Sequence, residues 1–387
     1  MDPHGQLARR FPLVSRFRPS CLPLPDRVQA LAALSETAAA RADQGLASAV
    51  YNQAALIASD VGLPDLARQL CHQHADAYLH AAPLPATAAI RALEPVVNLA
   101  RLQIRAGHPD EGRNRLLRLF DAVTNGTADR FDDVHVPADL VQSESDRQEV
   151  RAWLWRVLLA DGSRTLTGSG RWAEALAHTR KHQGIGKRMF DGRQIAVVAA
   201  LTSGDTEHAA ALIAHTTAGE PWEHAVTSCL HALCLRVCVD LNHSQESELE
   251  AALRAVPAEQ GMTVFATRLR LTALDTIASP ASPAAYRITN ELHRAIADTR
   301  DGFAAREVLE DSLFTELAAP RQLQDCHDLV ASCALGSGAV PARLRSALDT
   351  ALHRSDRVIR DSLAAPRVAQ MPEPVRRPHS VGNPPPE

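Results

Sequence analysis

The sequence is short of lysine, of aromatic residues and of uninterrupted apolar stretches, and each shortage excludes something. Only Lys181 and Lys187 are lysines among 41 basic residues, and the net charge is −4, so no global electrostatic pull toward nucleic acid is expected. Aromatic residues make up 4% of the 387 positions, and β-branched residues are also sparse, which argues against a sheet-built protein. The nearest candidate for a membrane span, Ala225 to Leu241, is interrupted by His231, Arg236 and Asp240. Met1 to Asp26 has Arg9, Arg10, Arg16 and Arg18 interleaved with prolines, and it lacks the apolar core of a signal peptide. The seven cysteines are odd in number and scattered, unlike a secreted disulfide framework; reduced thiols in a soluble cytoplasmic protein are expected. Phosphate-loop, nucleophile-elbow, His-Glu-x-x-His and dinucleotide fingerprints are all missing, so no motif names a reaction.

What is present is helix-forming: alanine, leucine and arginine dominate, and these, with glutamate, are good helix formers. Apolar residues recur at helical spacing in pairs separated by short breaks. Leu46 to Ser59 and Asp65 to His80 flank Gly62; Thr87 to Ala106 and Asp110 to Val123 flank Gly107. Ser145 to Thr167 and Arg171 to Lys181 flank Gly170; Ile195 to Thr202 and Thr206 to Thr216 flank Gly204. Five positions after each of these glycines stands a small residue: Ala67, Gly112, Ala175 and Ala209. A turn glycine followed by a close-packing position is the repeat signature of stacked helical hairpins. The intervals are uneven; the last matches a tetratricopeptide period, and the middle one is lengthened by the polar stretch Asn125 to Ser143. The expected fold is all-α, a tetratricopeptide-like α-solenoid of irregular helical hairpins. Its parts are a flexible segment 1–26 that Phe11, Leu13 and Phe17 can lay against the body, repeats over 27–279, a C-terminal capping segment 280–364 and a disordered Pro-rich tail 365–387.

Four constellations bear on chemistry. His231, Cys234 and Cys238 project from one side of a helix and suit zinc, but the apolar stripe Val226, Leu230, Leu233, Val237 beside them equally reads the cysteines as packing residues. The turn from Lys181 to Gln194 gathers both lysines with Arg188 and Arg193 around glycines; it suits a phosphate or an acidic peptide, or is a solvated connection. The tryptophans, Trp155 among them, fall in the central repeats as packing residues or peptide anchors. The acidic stretch with Asp129, Asp132, Asp133, Asp139 and Asp146 reads as a cation or basic-partner site or a solvated loop. The contact surface expected from these residues is a central groove near Arg101, Trp155, Lys181, Lys187, Arg188 and Arg193.

The runs Leu154 to Gly162 and Gly184 to Gln194, with the helix opening Glu220-Pro221-Trp222-Glu223, resemble a family of tetratricopeptide-like helical-repeat proteins of filamentous actinobacteria, over most of residues 46–255. Some such proteins accompany class V lanthipeptide pathways. That resemblance implies a cyclase or scaffold that meets a precursor peptide and its kinase and lyase enzymes. No cofactor is expected, zinc at the Cys/His cluster apart; Cys71-His72 is followed by Gln73, so the Cys-His-Gly element of zinc-dependent lanthionine cyclases is not kept. The alternative is a cytoplasmic regulatory or signalling repeat protein without catalytic activity. In either case no membrane contact and no direct nucleic-acid contact is expected.

Overall fold

Several of the breaks between helices share one hydrogen-bond pattern. The computed structural model describes residues 1–236 and 241–364. After α1 (Gln6–Arg9) an extended strap leads to α2 (Leu24–Arg41), α3 (Gln44–Asp60), α4 (Pro64–Leu79), α5 (Ala86–Arg105) and α6 (Pro109–Asn125). A small antiparallel hairpin, β1 (Asp129–Phe131) and β2 (Val134–Val136), precedes α7 (Glu144–Val157), one turn of π-helix (Leu158–Gly162) and α8 (Ser163–Gly168). There follow α9 (Trp172–Lys181), α10 (Asp191–Thr202), α11 (Thr206–Ala214), α12 (Pro221–Arg236) and α13 (His243–Arg254). The described residues end with α14 (Thr263–Ile277), α15 (Pro283–Thr299), α16 (Gly302–Leu309), α17 (Ser312–Leu317), α18 (Pro320–Ser332) and α19 (Ala342–Ala364). Among the described residues no helix is long and apolar enough to cross a membrane.

Gly62, Gly107, Gly170 and Gly204 all have positive φ, as a left-handed helix terminus requires. At each, the next residue's amide reaches back to a carbonyl in the last helical turn: Leu63 to Ala58, His108 to Gln103, Arg171 to Leu166 and Asp205 to Ala200, at 2.9 to 3.0 Å. The small residue five positions on then sits in the hairpin crossing. Ala67, Ala175 and Ala209 are fully buried. At Gly112 a Cβ would stand 2.5 Å from Ile104 Cγ1 and 2.6 Å from the Ala100 carbonyl, so only glycine lets α6 lie against α5 there.

The same turn also occurs without glycine. Ala42 takes φ 49°, the Asp43 amide donates to Ala38 at 2.9 Å, and Ala47 is buried five positions on. The α2–α3 turn therefore belongs to the series, although its residue types do not announce it.

Apolar burial divides into two large clusters. The first takes Val28 and Leu31 from α2, Tyr51 and Ile57 from α3, Leu93 and Val97 from α5, and Leu154 from α7. It is closed by Leu348, Ala351 and Ile359 of α19, which packs on α2, α3 and α4. The return is anchored by the amides of Gly336 and Gly338, which donate to Asp60 and Val61 at the end of α3 at 2.8 and 2.7 Å. The second cluster gathers α8 to α18 around Leu166, Val198, Leu230, Leu269 and Phe314. It is completed by Ala8, Phe11 and Leu13 from the chain's beginning. A small third cluster, Cys21, Val264, Phe303 and Cys333, joins the two where the strap passes.

Residues 1–26 lie against the body through Phe11 and Leu13, as their apolar character allows, whereas Phe17 is 68% exposed. Gln194 grips the strap like a neighbouring strand: its side chain accepts from the Leu13 amide at 2.6 Å and donates to the Leu13 carbonyl at 2.7 Å. Arg10, nearly buried, pairs with Asp275 at 2.6 Å and with Asp311.

Candidate functional site

The turn that carries both lysines is shaped by packing. Gln183 ends α9 with φ 52°, and the Gly184 amide donates to Thr179 at 2.9 Å. Gly184 lies against Leu159, and a Cβ on Gly192 would meet the Gly184 carbonyl at 2.2 Å. The glycines therefore let the turn press onto the π-helical turn and let α10 start immediately behind it. Arg188 is fixed by a two-pronged pair with Glu223, itself 2% exposed. Burial on its own would raise the Glu223 carboxyl, but Arg188 and the backbone amides of Glu220 and Met189 hold it below the usual carboxylate range. Lys187 is held only by its backbone, whose carbonyl accepts from Thr217 at 3.0 Å; its side chain is exposed.

Facing this turn is the end of α7 and the π-helical turn. In a π turn the backbone bonds skip one residue further than in an α-helix, which leaves a carbonyl to find another partner. His178 Nε2 meets that of Leu158 at 3.2 Å, and burial holds its imidazole below the ordinary histidine value. The same turn presents Asp161, which accepts from Arg101 Nε at 3.0 Å and Nη2 at 2.7 Å. Arg101 extends a polar ladder on α5: its Nη1 donates to Asn98 at 3.0 Å, Asn98 to Asn52 at 3.0 Å and Asn52 to Glu94 at 2.7 Å. Burial raises the Glu94 carboxyl, and Asn52 opposes that shift.

Between the two turns lies a groove of about 870 Å³. Trp153, Trp155, Leu159, Ile185 and Phe190 provide its apolar lining, with Asp161 and Asp191 as its carboxylates. Trp155 is 37% exposed, and its indole N–H is held by the His182 carbonyl at 2.9 Å, so the ring stands as a fixed platform. Phe190 is 43% exposed and backs onto Trp222, which in turn meets Phe265 edge-on. Both groove carboxylates are already paired, Asp161 with Arg101 and Asp191 with Arg16 at 2.7 Å. Arg156 and Lys187 line the groove, are exposed and, among the described residues, have no ion-pair partner. The groove thus offers free positive charge beside aromatic surface.

Four of the residues singled out by sequence, Arg101, Trp155, Lys187 and Arg188, meet in this groove. Lys181 is exposed on the last turn of α9 and does not line it. Arg193 turns inward: it is 8% exposed and donates to the Leu212 carbonyl at 2.6 Å, tying α10 to α11. Arg16 and Asp191 carry no local signal, since the strap and α10 come from distant parts of the chain. The Asp129 and Asp132 carboxylates, expected as a cation or basic-partner site, are paired with Arg118 and Arg115 of α6.

For zinc, the described residues do not bring the expected ligands together. His231 is exposed to solvent while Cys234 is buried in the apolar packing, and Cys238 lies outside the described residues. Burial pushes the Cys234 thiol up to about 11 and the neighbouring Cys229 up to about 12, opposite to what a thiolate ligand needs. Among the described residues no group of three or more histidine, cysteine, aspartate or glutamate side chains is arranged to hold a metal.

Comparison of the chain with family models, with curated proteins and with solved structures gives no match.

Proposed function

We propose that this chain is a cytoplasmic, tetratricopeptide-like helical array that binds an extended, acidic peptide segment in the groove between the π-helical turn and residues 182–190. The observation that carries the reading is the strap. An extended stretch of the chain itself, from Pro12 to Cys21, already runs along these helices, held by Gln194 on the Leu13 backbone and by the Arg18 amide on the Gly261 carbonyl at 2.9 Å. The open groove shares Arg16 with that strap. A second extended segment laid beside the strap would find aromatic platforms in Trp155 and Phe190 and free cations in Arg156 and Lys187.

The narrower form of this reading is a part in making peptide natural products, of the class V lanthipeptide kind, and it rests on the resemblance of 154–162 and 184–194. The groove lining favours a scaffold for the precursor peptide over a cyclase, because it contributes no thiol and no imidazole among the described residues. Random-peptide selection against the full chain tests the binding. Selected peptides are expected to be acidic with one large apolar residue, and to lose about tenfold or more in affinity to Trp155→Ala and to Lys187→Glu. Equal affinity for the wild type and both substitutions, with melting unchanged, removes the groove from the proposal.

A further inference from the structure

Beside the groove, under the strap, is a second cavity of about 480 Å³ whose charge is far from balanced. Six arginines line it: Arg16 and Arg18 from the strap, Arg101 and Arg105 from α5, Arg164 from α8 and Arg268 from α14. Arg16, Arg101 and Arg268 have carboxylates of their own in Asp191, Asp161 and Glu307. Arg105 shares Asp60, at 3.4 Å, with Arg27, which holds that carboxylate more closely at 2.7 Å. Arg18 and Arg164 are in no ion pair among the described residues. Asp301 also faces Arg18, but its carboxylate is committed to the amides of Phe303 and Cys21 at 2.9 and 3.3 Å. Even with Asp301 counted, these groups hold two more guanidiniums than carboxylates.

The two unpaired arginines are the informative ones. The Arg18 guanidinium rests 3.8 Å over the ring of Phe303, which fixes its plane. Among the described residues the buried Arg164 Nε has no hydrogen-bond partner, and Nη2 reaches only the Pro12 carbonyl at 3.4 Å. A buried guanidinium N–H without an acceptor is costly, and an occupant that supplies one removes the cost. Burial holds both arginines below their ordinary value; Arg105 adds to this at Arg18, Arg16 at Arg164, and Arg268 at both.

We propose that this cavity binds a phosphate monoester in its dianionic form. Two uncompensated charges call for a dianion, and guanidiniums arriving from the strap, α5, α8 and α14 suit a tetrahedral acceptor better than a planar, singly charged carboxylate. The phosphate has two sources, a free small ester or a phosphorylated side chain of the groove's occupant, since Arg16, Arg101 and Asp161 line both spaces. Only the second source rests on the peptide-binding reading.

Calorimetric titration of the full chain with inorganic phosphate, against acetate at equal ionic strength, is the test. One phosphate per chain is expected, with no acetate binding, and affinity about tenfold or more lower in Arg18→Gln and in Arg164→Gln. Arg18→Gln serves alone if Arg164→Gln does not melt cooperatively, because Arg18 lies on the strap outside the helices. No saturable phosphate binding by the wild type up to concentrations on the order of 10 mM, or unchanged affinity in the variants, overturns the proposal. Lys187→Glu is expected to leave phosphate affinity unchanged, so failure of the groove reading and failure of this one are separable. A selected groove peptide made with and without phosphoserine then distinguishes the sources: tighter binding of the phosphorylated form assigns the phosphate to the peptide, and equal binding assigns it to a free ester.

Discussion

The two large cores are built from similar hairpins but closed from opposite ends of the chain. The first, made of α2 to α7, is covered by α19, whose residues follow it by almost the whole sequence. The second, made of α8 to α18, is completed by Ala8, Phe11 and Leu13. Each half thus holds the other's terminus. Their buried polar groups differ as well. The first core buries a neutral imidazole, His74, stacked on Tyr51 at 5.0 Å and bonded to Ser48 at 2.8 Å. The second buries charge, in Arg10 with Asp311 and Asp275. The first also holds the Arg27–Asp60 pair at 2.7 Å, so the contrast lies in the imidazole: a buried neutral histidine yields to acid, whereas a buried ion triad is most sensitive to the loss of one member.

The sharpest way to break this comparison is to remove α19 by ending the chain after Pro341. Leu348, Leu352 and Ile359 leave the first core, each worth roughly 1.5 to 3 kcal/mol of burial, together comparable with a whole domain's stability. Hydrogen exchange is expected to show α2 to α5 losing protection while α10 to α14 keep theirs; uniform loss would mean that the two cores unfold as one. Next in size is Arg10→Met, which leaves Asp311 and Asp275 facing each other without their cation and is expected to cost about 3 to 5 kcal/mol, read from denaturant midpoints. Burial already raises the Asp275 carboxyl, in keeping with this cost.

Acid tests the first core. Burial lowers the His74 imidazole from 6.5 to about 3. Above pH 6.5 it is neutral in both folded and unfolded chains and adds no pH dependence; below, the unfolded chain takes up a proton that the folded one refuses, and stability falls until the folded value is passed. At pH 5 the loss is roughly 2 kcal/mol. His74→Leu is expected to flatten the stability profile between pH 6.5 and 3, whatever its effect at neutral pH; an unchanged slope removes this account. The smallest effect is a gain. Ala42→Gly relieves an alanine at φ 49° and is expected to stabilise the α2–α3 turn by about 0.5 to 1 kcal/mol, measurable as a raised melting temperature.

The Ala42 turn also shows what the sequence reveals and what it withholds. Helical periodicity with turn glycines brings out α3 to α6, α9 and α11 to within two residues at each end, because each glycine occupies a conformation that other residues avoid; α10 starts at Asp191, four residues before the expected Ile195. Where alanine takes that conformation the signal vanishes, and α2 goes unread. The β1–β2 hairpin was hidden in a stretch read as polar, although Phe131, Val134 and Val136 are all buried, with the acidic turn Asp132-Asp133 at its tip. The π-helical turn has no mark in its residue types, yet it carries Asp161 to Arg101. In the groove, side chains projecting from neighbouring helices were legible and those supplied by the strap were not. Nothing local to Arg16 or Arg18 says that they lie beside α5 and α14. Arg193 illustrates the converse: a basic residue in a basic turn whose neighbours in the fold are the Leu212 carbonyl and the Thr216 hydroxyl, not solvent.

The exchange of termini has a consequence for how the chain is made. The strap leaves the ribosome before Gln194, Asp275 and Asp311, which receive it; at 5 to 20 residues per second the wait is roughly 9 to 60 seconds. Through that interval, and until α19 itself is made, the faces of α2, α3 and α4 that α19 covers have no partner. Among the described helices α19 is made after all the others, and it closes a core whose other helices are among the earliest made.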